Sequence, residues 1–478
     1  MIDQPSRRRF LQQTSCGFGS LALSGILANA ADIPPAGRGR DPLAPRPTHF
    51  PPKIKRVIFL FMQGGVSHVD SFDHKPRLEK DDGKMLGFDD ARIIANSGMK
   101  GSNQRIMKSP WKFSRHGESG HWGSTLFPKM NEHMDEFCFI HSLQTEGVAH
   151  GPATLFLHCG STNTVRPSMG SWLLYGLGTE NGDLPGFVTI APTSGNGGPR
   201  NYGSAFLPPI YQGTAIGRAG TDFAGAGIKN LGDTTRGLVD QKRRLDLILA
   251  LGAEQRAARP GDAELEAVIA SYELAWRMQG RAPEILDLER ESKAVKDLYG
   301  IGEKPTDSFG RQCLMARRLC EAGVRFVQVT YGDGSANPAW DQHSNLQKHA
   351  DHARAVDKPI SGLLTDLAAR GLLDDTLVWW GSEFGRTPYA EKNGTGRDHN
   401  PGGFTVWLAG GGVKKAYSHG ETDEFGHLAV NDRVHMHDLH ATILHLLGID
   451  HERLTYRFSG RDFRLTDVHG RVVSEILA

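Results

Sequence analysis

From residue 307 to the C-terminus, the apolar residues switch repeatedly between a helical period and short continuous runs. "DSFGRQCLMARRLCEAG" has the helical pattern and stops at Gly323, and the strand-like run "VRFVQVTY" follows at once. Ile360, Leu363, Leu364 and Leu367 then fall at helical spacing, Gly371 ends that helix, and Asp374-Asp375 turns into "TLVWW". "FTVWLAGG" is another strand and "DLHATILHLLGI" another amphipathic helix. Upstream, "RVIFLFMQGG" reads as a strand turned by Gly64-Gly65, and "EFCFIHSL" over 136–143 as a second. Strands that are apolar at every position need cover on both faces. The pattern therefore predicts an α/β fold with a mainly parallel sheet sandwiched between helices. In such sheets the chemistry gathers beyond the carboxyl ends of the strands.

The remaining stretches set the domain plan. Ser6, Arg7 and Arg8 followed by Phe10 and Leu11 precede the apolar run "CGFGSLALSGILANA", and Ala28-Asn29-Ala30 fits a small-residue cleavage site. This looks like a twin-arginine export signal over 1–30, and it predicts a periplasmic or otherwise extracytoplasmic protein. The apolar run is shorter than the roughly 20 residues a spanning helix needs, so no stable membrane insertion is expected after its removal. Residues 31–55 are proline-rich and read as a tether, which leaves 56–470 as a single domain. Within it, 192–235 reads as loop, and 236–300 as a charged helical region with Leu245, Leu247, Ile248 and Leu251 on one apolar stripe.

Charge and cysteine use exclude several classes. With 55 basic and 54 acidic residues the formal charge is +1, so the basic footprint of a nucleic-acid binder is missing. Cys16 leaves with the signal. Cys313 and Cys320 are seven apart on a helix, about 10 Å along its axis, too far to bridge. Cys138, Cys159, Cys313 and Cys320 are expected as buried thiols, although the first two could meet.

Three constellations sit just past predicted strands. "PAWDQHSN" places Asp341 and His343 two apart, on one side of an extended segment. "TLVWWGSEFGR" ends on Glu383 and Arg386, and "GTGRDHNPGG" offers Asp398 and His399 in a glycine-rich loop. Carboxylates and imidazoles converging from different strands are what a metal-assisted hydrolase needs. The cluster "HMHDLHATILH" has no H-E-x-x-H spacing, and His437 and His440 are expected to pack.

These motifs resemble the alkaline phosphatase and sulfatase superfamily. "DDTLVWWGSEFGR" lies where that superfamily has a strand ending in a metal-binding Asp-His or Asp-Asn pair; "WDQHSN" is similar to its Asp and His ligands ahead of a long helix. "DHNPGGFTVWLAGGGV" resembles its histidine ligand before a strand and a glycine run. "GGVSHVDSFDHKP", "EAGVRFVQV", "WDQH", "SEFGRTP" and "GRDH", with the export signal, look like a large bacterial family of exported sulfatase-like proteins catalogued as a domain of unknown function. The resemblance implies an alkaline phosphatase-like fold and one or two divalent ions, with zinc first and manganese or calcium as alternatives. It also implies an anionic ester or polysaccharide substrate.

Carried over residue by residue, the resemblance makes Asp341, His343, Glu383 and His399 metal ligands. Gln63-Gly64-Gly65 stands where the superfamily has an Asp-Asp pair, so Asp70 is the expected fifth ligand, with His68 as its rival. In "HGPATLFLHCG", Pro152 and Gly160 are in register with the sulfatase nucleophile motif. His150 occupies the nucleophile position there, and Thr154 replaces the arginine. His150 is thus a ligand, a general base or a nucleophile, or a structural donor. Arg386 either clamps the anionic ester or pairs internally with Glu383. The implied activity is hydrolysis of a phosphate or sulfate ester; the alternative is a catalytically degenerate, metal-stabilised binding protein on the same scaffold.

Overall fold

The apolar run "RVIFLFM" forms the strand β1 (Arg56–Met62) in the computed structural model, which describes residues 41–89, 91, 101–229, 231–232, 235–335, 337–391 and 394–478. The predicted export signal and the first part of the tether lie outside the described residues. Along β1, Ile58, Leu60 and Met62 join one apolar cluster, and Val57, Phe59 and Phe61 join another. Successive side chains of a strand point to opposite faces, so a strand apolar throughout feeds two cores at once.

Going along the chain, the main elements after β1 are β2 (Phe137–Gln144), the helices α1 (His150–Cys159) and α2 (Met169–Leu177), β3 (Phe187–Ile190) and β4 (Thr214–Ile216). Next come α3 (Asp307–Glu321), β5 (Phe326–Tyr331), α4 (Lys348–Ala369), β6 (Thr376–Gly381), β7 (Gly385–Ala390) and β8 (Arg397–Asn400). The chain closes with β9 (Phe404–Gly410), β10 (Tyr417–His419), β11 (Val434–His435) and α5 (Met436–Leu446). Among the described residues these strands build a nine-stranded sheet in the order β10-β2-β9-β6-β1-β5-β3-β4, with β11 also on β2. All its pairings are parallel except the two made by β9, which runs against β6 and β2. The fold is α/β with a mostly parallel sheet, as the strand and helix periods predict.

The two faces carry separate cores. Phe309 and Leu314 of α3 and Val356, Ile360 and Leu363 of α4 pack on one. Phe156 of α1, Trp172 of α2 and Leu439 and Ile443 of α5 pack on the other. Phe59 stacks on Trp379 of the neighbouring strand with ring centroids 3.7 Å apart. Cys138, Cys159, Cys313 and Cys320 are free and buried, and burial raises the pKa of each. No helix among the described residues is long and apolar enough to cross a membrane.

Two expectations are corrected. The segment 192–235 is not all loop, because Thr214–Ile216 docks parallel to β3 as the outer strand of the sheet. The run is too short to stand out by period, and pairing with β3 decides it. The stripe at Leu245, Leu247, Ile248 and Leu251 lies on helix Leu238–Ala258, but only Leu245 is buried; Leu247 is 61 % and Leu251 51 % exposed. That helix packs on its neighbour Ala263–Leu286, and of its residues only Leu245 and Gly252 are buried.

His437 and His440 of α5 are buried, as expected, and their Nε2–H groups donate to the carbonyls of Gly160 (3.2 Å) and Leu157 (2.8 Å) at the end of α1. His158 lies in the same layer and bonds the Thr154 carbonyl at 2.7 Å. Burial pushes their pKa values down, to about 4 for His158 and His437 and about 3 for His440. In the unfolded chain an imidazole takes its proton near pH 6.5. The unfolded state therefore binds more protons over the window from about 6.5 down to 4, and stability falls as pH drops through it. At pH 5 a fully neutral buried imidazole costs up to about 2 kcal/mol relative to neutral pH. The urea midpoint is expected to fall between pH 7 and pH 5, and His440→Gln, which keeps a donor but cannot titrate, to flatten that fall. Equal slopes in both proteins would contradict this account.

Candidate metal centre

β6, β1 and β5 are adjacent and parallel, so the segments that leave their carboxyl ends emerge on one edge of the sheet. From β1 comes Gln63-Gly64-Gly65, from β6 comes Ser382-Glu383, and the chain after β5 leads to Asp341 and His343. Gly64 has a φ of +118°, and a Cβ there would lie 2.7 Å from the backbone nitrogens of Trp340 and Asp341. Only glycine lets the β1 loop touch the Asp341 segment so closely. His150 opens α1, and His399 sits on β8.

Asp398 and His399 do not lie in a loop as expected. β7 and β8 pair as an antiparallel hairpin that puts Arg386 opposite His399. Strand pairing overrides the local glycine signal, and it holds the imidazole rigidly.

The four side chains meet at one oxygen. Asp341 Oδ1 lies 3.1 Å from His150 Nε2, 2.8 Å from His343 Nε2 and 3.2 Å from His399 Nε2. The Nε2 atoms of His343 and His399 face each other at 3.0 Å. All four atoms lie within 4.8 Å of one another, a grouping that could hold a metal ion. Each outer nitrogen has its own acceptor: His399 Nδ1–H donates to the Val148 carbonyl (2.8 Å), His150 Nδ1–H to Glu383 Oε1 (2.6 Å) and His343 Nδ1–H to Glu391. An imidazole with its proton on Nδ1 presents a bare lone pair at Nε2. Three lone pairs and a carboxylate oxygen thus point into one space, and they need a positive charge between them.

The spacing suits an ion. With bonds of about 2.0–2.1 Å, neighbouring ligand atoms of a tetrahedral site stand about 3.3 Å apart. The contacts of Asp341 Oδ1 with the three imidazoles come close to that. A proton on His150 is the other way to supply the charge. Burial opposes it, but the carboxylates of Asp341 and Glu383 on the two ring nitrogens outweigh burial and raise the pKa. Burial also works against the Asp341 charge, yet the imidazoles of His150, His343 and His399, where they carry a proton on Nε2, and the Arg386 guanidinium hold its carboxyl far below the usual range. Burial lowers the pKa of His399 to about 4, against the pull of Asp341.

Glu383, expected as a direct ligand, stands one ring behind. Its two oxygens accept from Gly64 N–H at 3.0 Å each, Oε2 accepts from Ser382 Oγ at 2.8 Å, and Oε1 accepts from His150 Nδ1–H. It is fully buried, and despite that burial the His150 contact lowers its pKa.

Asp70 is not brought to the cluster. It is buried in a bidentate pair with Arg397, at 2.7 and 3.1 Å, and also bonds Ser67 Oγ. Its rival His68 donates to the Gly426 carbonyl at 2.8 Å. Arg386 is not paired with Glu383 and has no face toward a ligand: it is fully buried. Its guanidinium donates to the carbonyls of Gly64, Gly65, Trp340 and Arg397 and, at 2.7 Å, to Asp341 Oδ1. A guanidinium committed this fully fixes Asp341 and cannot double as an anion clamp.

Glu391 and Asp398 are members of the site that the motifs did not single out as ligands. With His343 they form a second group of ligand atoms, built on that residue's other ring nitrogen. Glu391 follows directly on β7, in the connection to β8, and no spacing signal marks it. The Val148 carbonyl had no signal at all, being backbone.

The chain belongs to the family described as a protein of unknown function, DUF1501, whose model matches residues 54–477. No curated protein matches it. Among solved structures it is similar to the lipoteichoic acid synthase LtaP from Listeria monocytogenes, with 10% identity over 89% of this chain and 79% of that one, at a TM-score of 0.39. It is also similar to the PsFucS1 sulfatase from Pseudoalteromonas sp., with 13% identity over 91% of this chain and 72% of that one, at a TM-score of 0.34. A protein in the alkaline phosphatase superfamily from Vibrio parahaemolyticus aligns at 10% identity over 91% and 77%, with a TM-score of 0.36.

Outer-shell carboxylates that orient a ligating imidazole change metal affinity by about 10–100-fold when removed. Glu383→Gln keeps the shape but removes the charge behind His150. Zinc titration with a competing chelator is expected to show affinity lowered within that range, with the fold intact by circular dichroism. Unchanged affinity would separate Glu383 from the centre.

Proposed function

We propose that this DUF1501 member is an exported metal-dependent hydrolase of a phosphate or sulfate ester, with one divalent cation held by His150, Asp341, His343 and His399. What carries the reading is the set of three bare imidazole nitrogens turned toward Asp341 Oδ1, each ring locked by an acceptor on its far side. Three nitrogens and one oxygen suit zinc first and manganese second; calcium prefers oxygen ligands throughout. His343 serves the second group, with Glu391 and Asp398, through its other nitrogen, and only an imidazolate bridges two cations, so one ion is expected. The alkaline phosphatase-like character of the fold is part of the same reading.

A cation there supplies Lewis acidity toward an ester oxygen and acidifies nearby water. The chain's own residues do the positioning. Glu383, Glu391 and the Val148 carbonyl hold the imidazoles in one tautomer, and Arg386 fixes Asp341. His150, with both nitrogens engaged, acts as a ligand and not as a nucleophile. The side chains of His343 and Glu391 are 26% and 20% exposed, against 3% for Asp341. That edge is where substrate approaches. The twin arginines and Ala28-Asn29-Ala30 support export by the twin-arginine route, with 31–55 as tether and 56–470 as one domain.

A second reading, a metal-stabilised binding protein without turnover, is favoured by one observation. Arg386, which touches Asp341, and Arg397, two residues before His399, are both fully buried and spent on internal partners. The protein purified after export is to be tested for metal content and for hydrolysis of p-nitrophenyl phosphate and p-nitrophenyl sulfate. The hydrolase reading expects one ion per chain and turnover of one ester, both lost in His399→Ala. One tightly held ion without turnover on either ester supports the binding protein. A chain that takes up no stoichiometric zinc or manganese sinks both.

A further inference from the structure

At the end of the sheet opposite β10, a cavity of about 750 Å³ runs beside β4 under helix Ala263–Leu286. Its size lies within the about 300–1,000 Å³ typical of small-molecule sites. None of the four cation-nest residues lines it, nor do Glu391 and Asp398, so it is a separate site.

Its lining combines two chemistries. Leu174, Ile210, Leu274 and Met278 stand in an apolar wall, each of them less than a tenth exposed in all. Arg218 and Lys229 also line it, and both are exposed. Arg218 donates to Ser194 Oγ at 3.1 Å, a neutral acceptor that leaves its charge uncompensated. Among the described residues, no carboxylate pairs with either cation. Most other arginines of the protein are treated differently: Arg56, Arg166, Arg317, Arg318, Arg386 and Arg397 each have an acidic partner.

An occupant that is only polar leaves the apolar wall in contact with water, and a neutral apolar one makes no use of the two charges. A molecule with an apolar body and an anionic end satisfies both, burying carbon against the wall while its charge meets two exposed cations. We propose that this cavity binds an amphiphilic organic anion, with an alkyl or aryl body against Leu174, Ile210, Leu274 and Met278 and a carboxylate, phosphate or sulfate at Arg218 and Lys229. The proposal does not depend on the metal centre or its chemistry.

Isothermal titration of the full mature chain with octyl sulfate, octyl glucoside and sodium sulfate, each below its aggregation threshold, tests it. Octyl sulfate is expected to bind saturably, and octyl glucoside and sulfate at least tenfold more weakly. The double variant Arg218→Ala/Lys229→Ala should lose at least tenfold in octyl sulfate affinity while its zinc content stays that of the parent. Ala275→Trp, which fills the cavity, should abolish binding; if that variant does not fold, the surface charge variant decides alone. The proposal is overturned if octyl sulfate shows no saturable binding, if the double variant binds it as the parent does, or if octyl glucoside binds equally well. Because zinc content is read in the same samples, a failure here is distinguishable from a failure of the hydrolase reading.

Discussion

One carboxylate oxygen ties the site together. Asp341 Oδ1 is approached by three imidazole nitrogens and by the Arg386 guanidinium, all between 2.7 and 3.2 Å, in a place where the side chain is 3% exposed. A buried carboxylate without such partners would give up its charge. With the Arg386 guanidinium beside it the carboxyl stays ionised, and its charge adds to the need of the three converging nitrogen lone pairs for a cation among them. Removing it would leave the Arg386 guanidinium in the interior without its carboxylate partner.

The surroundings are built to keep that oxygen in place. Arg386 reaches it from β7 and, through four backbone carbonyls, also staples the β1 loop, the Trp340 turn and β8 to one another. Glu383 does the same from the other side, holding Gly64 and His150 together. Arg397 and Asp70 form a parallel internal pair that joins the hairpin to the turn after β1. These buried ions are costly by themselves, and their hydrogen bonds offset the cost only because nearly every donor is used. Substitutions that remove a single partner should therefore disturb the geometry of the nest as much as its charge.

The parallel sheet makes this economical. Three adjacent strands end on one side, so short loops of sequence-distant residues reach the same point without long excursions. The same arrangement leaves the far end of the sheet, at β3 and β4, free to carry an unrelated cavity. Two sites with different demands, one a closed charged nest and the other a half-open apolar wall with loose cations, share one scaffold without sharing residues.

The sequence by itself determined the sheet and its two-sided cover, because strands such as "RVIFLFM" and "TLVWW" are apolar on both faces and helical stripes alternate with them. It also indicated that Asp341 and His343 follow a strand and leave it on one side, since short-range spacing encodes that, whereas it put His399 in a loop and not on β8. Tertiary structure alone decided which neighbours they meet. Nothing local says that Glu383 turns to His150 rather than to a cation, that Asp70 belongs to Arg397, or that Glu391 backs His343. Those choices follow from pairings between residues dozens to hundreds of positions apart, where chain proximity carries no information and packing fixes the distance.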